Sequence, residues 1–187
     1  NIKKHKNIVN RFIFVFFQLK MKMKKYNNTY IMILSEFIYG GMDGIITTVA
    51  IIGGVIGANI STKYALILGL ANLLADGFSM GISRYNSLID IEKANVSPFL
   101  SAIATFVSFV LIGSIPFIPF LFINIHYEDT LKLWLALSSI FAFLLIGIVK
   151  GYYTNNMIKT IFEVLVIGSI GVYISYSVSR YVRHQIN

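Results

Sequence analysis

The sequence contains no cysteine, which excludes disulfides and thiolate metal ligands alike and leaves the redox compartment unread. No histidine falls inside any of its long apolar stretches, which argues against a tight zinc or copper site. No acidic residue precedes Glu36, yet eight of the 16 Lys and Arg residues lie before residue 26. Residues 1–30 therefore read as a solvated basic tail that orients the protein and touches anionic lipid, not as a nucleic-acid-binding arm. Low-complexity linkers and strong internal repeats are also missing. The connections between apolar stretches are too short to hold a separate soluble domain.

What remains is hydrophobic. The 187 residues are 56% apolar with a mean hydropathy of +0.73, more than a soluble core of this size needs. A helix takes roughly 20 apolar residues to cross a hydrocarbon core of about 30 Å. Five stretches reach that length: 31–58, 64–86, 99–123, 131–150 and 157–179. The expectation is an all-α integral membrane protein with a five-span domain over 31–182. The run Phe12–Phe17 is too short to span. It follows basic residues as a signal peptide would, but no small-residue cleavage site follows, so cleavage is not expected. The chain begins at Asn1, with Met21 and Met23 as alternative starts. Basic residues predict the orientation. With the N-terminus cytosolic, 12 Lys and Arg lie on that side, and only Lys63, Lys132, Arg180 and Arg183 on the other. This favours N-in, C-out. His126, Glu128 and Asp129 then cluster on the far side.

The third span carries Pro116 and Pro119, which should kink it or end its regular helix near the far interface. The third and fourth spans lack acidic residues and read as lipid-facing or packing elements. Glu163 near the start of the fifth span is placed to snorkel. The first two spans differ. In the first, Glu36, Gly40, Asp43, Thr47, Ala50, Gly54 and Gly57 fall along one helical stripe, polar at one end and small at the other. In the second, Asn72, Asp76, Ser79, Met80 and Ser83 share a face. A charge at the bilayer centre costs about 2.5–3.5 kcal/mol even on the lenient insertion scale, so two carboxylates on adjacent spans point to an ion path or proton relay.

Depth agrees. Asp43 lies roughly 10 Å beyond Glu36 along a helix, and Asp76 and Met80 lie roughly 8–14 Å from the cytosolic end of the second span. All three reach a similar level in the cytosolic half, with Glu36 nearer the mouth. Carboxylates alone would suit magnesium or calcium. A thioether beside them tilts the choice toward a transition metal, although Met80 is equally able to be gap-filling core. Three G-x-x-x-G pairs complete the picture: Gly40 and Gly44, Gly53 and Gly57, Gly77 and Gly81. Such pairs allow close helix approach, within one subunit or between two copies along the Asp43 stripe.

At these residues the chain resembles the vacuolar iron transporter (VIT) family. The resemblance rests on residues 40–50, Gly-Gly-Met-Asp-Gly-Ile-Ile-Thr-Thr-Val-Ala, with glycines 53, 54 and 57. It continues in residues 69–81, Gly-Leu-Ala-Asn-Leu-Leu-Ala-Asp-Gly-Phe-Ser-Met-Gly, with Tyr85. A weaker third part is Ile146-Gly147, Gly151, Glu163, Gly168 and Tyr176. The resemblance implies a homodimer of five-helix subunits that exchanges cytosolic Fe2+ or Mn2+ for protons, without a cofactor. It implies a vacuolar or other endomembrane if the source is eukaryotic, and the plasma membrane if prokaryotic. It also implies that Asp43 and Met80 line the ion path. Many members carry a second-span glutamate where this chain has Asn72, and Asp76 one turn on is the available substitute. Many iron transporters of the family also carry a long acidic, methionine-rich insertion between the second and third spans. Only residues 87–98 stand there in this chain, with Asp90 and Glu92, so iron and manganese both stay open.

Two rival classes exist. An intramembrane aspartyl protease would use Asp43 and Asp76 as an acid–base pair, but the Gly-x-Gly-Asp order typical of such enzymes is missing. A non-transporting scaffold would need the glycines but not the carboxylates. An enzyme is not expected.

Overall fold

The computed structural model describes residues 28–89, 97–124 and 127–186. The basic tail, the loop acids Asp90 and Glu92, and His126 lie outside the described residues. The described chain is helical: α1 (Asn28–Gly57), α2 (Lys63–Ile89), α3 (Pro98–Gly113), a 3-10 segment (Ile115–Leu121), α4 (Glu128–Thr154) and α5 (Met157–Ile186). Four of the helices are long and apolar enough to cross a membrane. Helix α3 and the 3-10 segment, bent by 45° at the break between them, are together long and apolar enough to be a fifth.

Local chemistry sets the boundaries. Asn59 and Asn155 take left-handed backbone conformations just past α1 and α4, which asparagine tolerates better than most residues and which helix ends favour. Ser97 caps α3, its hydroxyl accepting from the Leu100 amide, and Pro98 sits in the first turn where no amide hydrogen is needed. The break after Gly113 follows from Pro116 and Pro119. Phe117 donates to Ser114 instead of to Gly113, which would leave the Gly113 carbonyl without a partner in an apolar environment. Thr48 of α1 supplies it, Oγ1 donating at 2.7 Å, and Ser138 of α4 does the same for the Pro116 carbonyl at 2.9 Å. The fifth helix continues past its apolar run to Ile186. Arg183 and His184 lie in its last turn, where positive charge suits the exposed carbonyls.

Contacts between helices give the direction of each. Thr105 of α3 meets Glu36 and Gly113 meets Thr48, so α1 and α3 run parallel. Gly69 of α2 faces Phe117 and Gly81 faces Ala102, so α2 is antiparallel to α3. Gly147 of α4 lies on Ile161 and Gly168 of α5 on Phe143, so α4 and α5 are antiparallel. Gly53 and Gly57 of α1 lie on Val172 and Tyr176, so α5 runs with α1. The five spans therefore alternate, and α1 begins at the face opposite the one where α5 ends.

Helix α1 is central and touches all four other helices, whereas α2 packs chiefly on α3. One apolar cluster, with Ile52, Val55, Leu73, Phe109, Phe117 and Leu131, joins α1, α2, α3, the 3-10 segment and α4. A second, with Ile45, Val49, Phe143, Ile146 and Val164, joins α1, α4 and α5. Large apolar side chains such as Leu74, Phe78, Phe141, Ile170 and Tyr173 point outward, as lipid-facing surfaces require. Helix α3 is a packing element, as its lack of acids suggested. It is also a wedge carrying buried Ser101, Thr105 and Ser108 against α1.

Every glycine of the three G-x-x-x-G pairs faces a helix of the same chain. Gly40 and Gly44 lie on the α3 backbone at Thr105 and Phe109. Gly53 and Gly57 lie on α5, and Gly77 and Gly81 lie on α3. A contact between copies made through Gly53 or Gly57 is thus not available, because α5 already occupies that face.

Candidate metal path

The stripe along α1 divides in two. Its far half is covered: the Ala50 carbonyl accepts from the Ser175 hydroxyl, Gly54 faces Ser175 and Ser179, and Gly57 lies against Tyr176. Its first half meets α2 and α3. Glu36 is only 4% exposed, while Asp43 and Thr47 are half-buried.

On α2 the polar face looks into the same region. Asn72 donates its side-chain amide to Asp76 Oδ2 at 2.5 Å, which holds that carboxylate in place. Met80 is half-buried and packs on the cluster around Leu73 and Phe109, so its sulfur is braced by core while part of the side chain stays open. Ser79 and Ser83 are exposed. Asp43 and Asp76 lie near enough for their charges to repel one another. A positive ion between them would relieve that repulsion, which is a physical reason for cation binding.

A crevice of about 640 Å³ opens beside these groups, lined by Ser35, Glu36, Tyr39, Ser79, Met80, Ser83, Arg84 and Ser87. Its residues lie about one to three turns nearer the mouth than Asp43 on α1 and Asp76 on α2. The path therefore reads inward as hydroxyls, then Glu36, then the Met80 sulfur, then the two aspartates. Among the described residues no three Asp, Glu or His side chains converge as a closed metal site. The donor set is instead spread along the crevice, with oxygen outnumbering sulfur. Such a row binds an ion in steps and lets it leave.

Three residues of this region carried no sequence expectation of a role here. Arg84, counted only as a cytosolic positive charge, donates from Nε to Glu36 Oε1 at 2.7 Å, and its terminal nitrogen contacts the same oxygen. The Thr105 hydroxyl lies 3.3 Å from Glu36 Oε2 and 3.0 Å from the Ser101 carbonyl, and is shared between them. Ser101 itself is buried with its hydroxyl unpartnered. The signal for Arg84 was present: Asn72, Asp76, Met80 and Arg84 are each four residues apart, one continuous helical row. Glu163 lies away from the crevice and pairs with Lys159 at 3.7 Å on the α5 surface.

A family model described as the VIT family matches residues 34–91 and 86–180. Among curated proteins, the chain is similar to a vacuolar iron transporter of Toxoplasma gondii, 42% identical over 64 residues, which are 34% of this chain and 21% of that protein. It is similar to one of Plasmodium berghei, 48% identical over 54 residues, 29% of this chain and 20% of that protein. A vacuolar iron transporter of Centaurea cyanus is 24% identical over 202 aligned positions, which reach 73% of this chain and 81% of that protein. The matched segment spans about a fifth of the length of the Toxoplasma gondii and Plasmodium berghei relatives.

Proposed function

This chain belongs to the VIT family, and on that premise we propose that it moves a divalent transition metal ion, Fe2+ or Mn2+, out of the cytosol in exchange for protons. The observation that supports the proposal is the pairing of two polar helix faces: Met80 and Glu36 line a hydroxyl-bearing crevice, and Asp43 and Asp76 stand near one another further along the same two helices. Carboxylates neutralise the charge of a dication, and the thioether favours a transition metal over calcium or magnesium. The relatives' names, vacuolar iron transporter, support iron as one substrate and an endomembrane as the location.

Proton coupling follows from the same donors. A carboxylate binds either a proton or a metal ion, so a high proton concentration on the far side displaces the metal and a low one in the cytosol favours loading. Asp43 and Asp76 are the groups placed to make this exchange, with Glu36 at the mouth and Asn72 steadying Asp76. The donors of one subunit lie on a half-open face of α1 and α2. A second copy docked there would close the path and double the donor set, so the assembly proposed is a homodimer built on the open polar face rather than on the glycine pairs. The basic tail and the basic count favour a cytosolic N-terminus. Family membership and the spread donor set both weigh against a protease pair, and the buried carboxylates weigh against a scaffold.

The test is Mn2+ and Fe2+ uptake into liposomes holding the full chain, with and without an imposed pH gradient. Uptake should rise when the destination compartment is acidic, and protons should leave as metal enters. Metal uptake indifferent to the gradient would replace antiport by a uniporter, and no uptake of either ion would remove the transport reading.

A further inference from the structure

The transport reading leaves the Arg84 guanidinium unused, although it sits in the mouth of the crevice on the one carboxylate there. We propose that Arg84 is a tethered competitor of the transported ion: it holds Glu36 until a divalent cation takes the carboxylate, and so sets the metal concentration at which the path loads. The proposal rests on the transport reading for its purpose, though not for its binding test.

The geometry is asymmetric in the way such an exchange needs. Glu36 cannot withdraw. Its side chain is buried, and one turn on at Gly40 the helix lies so close to Thr105 and Ser108 that a single Cβ would have no room. Arg84 can withdraw. About a third of its side chain is exposed, and its stem is long and flexible. Both guanidinium contacts fall on Oε1, leaving Oε2 with only the long, shared contact to Thr105. When the guanidinium leaves, α3 still offers Glu36 the hydroxyl of Thr105, and the buried Ser101 hydroxyl lies one turn away without a partner.

Charge and position supply the second argument. Among the described residues Arg84 is the only basic side chain paired with Glu36. While the two are paired the mouth is neutral, so a dication is not drawn in strongly. Once a metal ion takes Glu36, the freed guanidinium lies one helical turn from Met80 and repels the ion. That repulsion favours movement inward, toward Asp43 and Asp76, or release of Arg84 to water. Hydroxyls of Ser35, Tyr39, Ser79, Ser83 and Ser87 ring the crevice and can bind the ion's remaining water shell during the exchange. A plain structural cross-link would not need to sit in the lining of an open crevice.

The experiment uses the full chain in detergent and in liposomes, with Mn2+ as the probe. Equilibrium Mn2+ binding and half-saturation of Mn2+ uptake are both measured. Arg84→Gln should lower both half-saturating concentrations roughly 3- to 10-fold, the scale of partly exposed charge pairs. Arg84→Lys, which keeps the charge but loses the fork, should lower them by about twofold. Glu36→Gln combined with Arg84→Gln should abolish the gain, because the gain passes through Glu36. If Arg84→Gln does not give a folded protein, the lysine variant carries the test alone. Unchanged or weaker Mn2+ binding in folded Arg84→Gln, or in Arg84→Lys where that is the only folded variant, overturns the proposal. The expected order of binding affinities in a protein that transports nothing would sink the transport reading and leave the competitor standing. Full transport with one half-saturation for all variants would do the reverse.

Discussion

The two halves of α1 lie on one helical stripe and are built for opposite ends. From Ala50 to Gly57 the stripe is small, and α5 lies on it so closely that Gly57 meets the Tyr176 backbone. From Glu36 to Thr47 the stripe is polar. Its outer part opens to a crevice, and Glu36 there is partnered by Arg84 of α2 and Thr105 of α3. The same helix thus provides a rigid joint in one half and a wall of the ion path in the other. Close backbone contact gives the joint its stiffness, because membrane helices associate through packing rather than through a hydrophobic drive. That stiffness lets the other half hold charged side chains at fixed depth, although their burial is itself unfavourable.

The comparison breaks most visibly at the joint. Gly57→Leu should prevent α5 from seating and cost about 3 kcal/mol or more, since the added side chain meets backbone that cannot yield. Loss of a monodisperse peak in detergent chromatography checks this. Met80→Ala, in the path half, should leave the fold intact and spare any calcium leak. It should reduce Fe2+ and Mn2+ uptake by roughly tenfold, because it removes only the soft ligand. Uptake of the three ions side by side measures that selectivity. Thr48→Val lies between the halves. It removes the donor to the Gly113 carbonyl freed by the proline break and should cost only about 1 kcal/mol, read as a small drop in the thermal midpoint.

How much of this was written in the sequence depends on the kind of signal. The five crossings were legible because each apolar run is long enough, and the break in the third because Pro116 and Pro119 cannot continue a helix. The polar stripes of α1 and α2 were legible from their spacing. Which helix each glycine pair serves was not, since a G-x-x-x-G pair carries no address. Gly53 and Gly57 turned out to serve α5 and not a second copy. The role of α3 was hidden for a related reason: Ser101, Thr105 and Ser108 are neutral, common in membrane helices, and gain meaning only when α1 is seen against them. Arg84 was misleading because a basic residue near a span end has an ordinary topological reading, and its pairing with Glu36 spans a sequence separation of 48 residues.

The central claim is that the open half of α1 is an ion path, and Asp43 tests it most directly. Asp43→Ala takes away charge neutralisation and an oxygen ligand beside Asp76, and at this half-buried position it should leave the packing of α3 and α5 intact. Radiotracer Mn2+ and Fe2+ uptake by this variant and the unaltered chain, in liposomes at matched protein content, is the measurement. The account predicts a folded protein with uptake reduced to the level of empty liposomes. Uptake of both metals equal to that of the unaltered chain would contradict it.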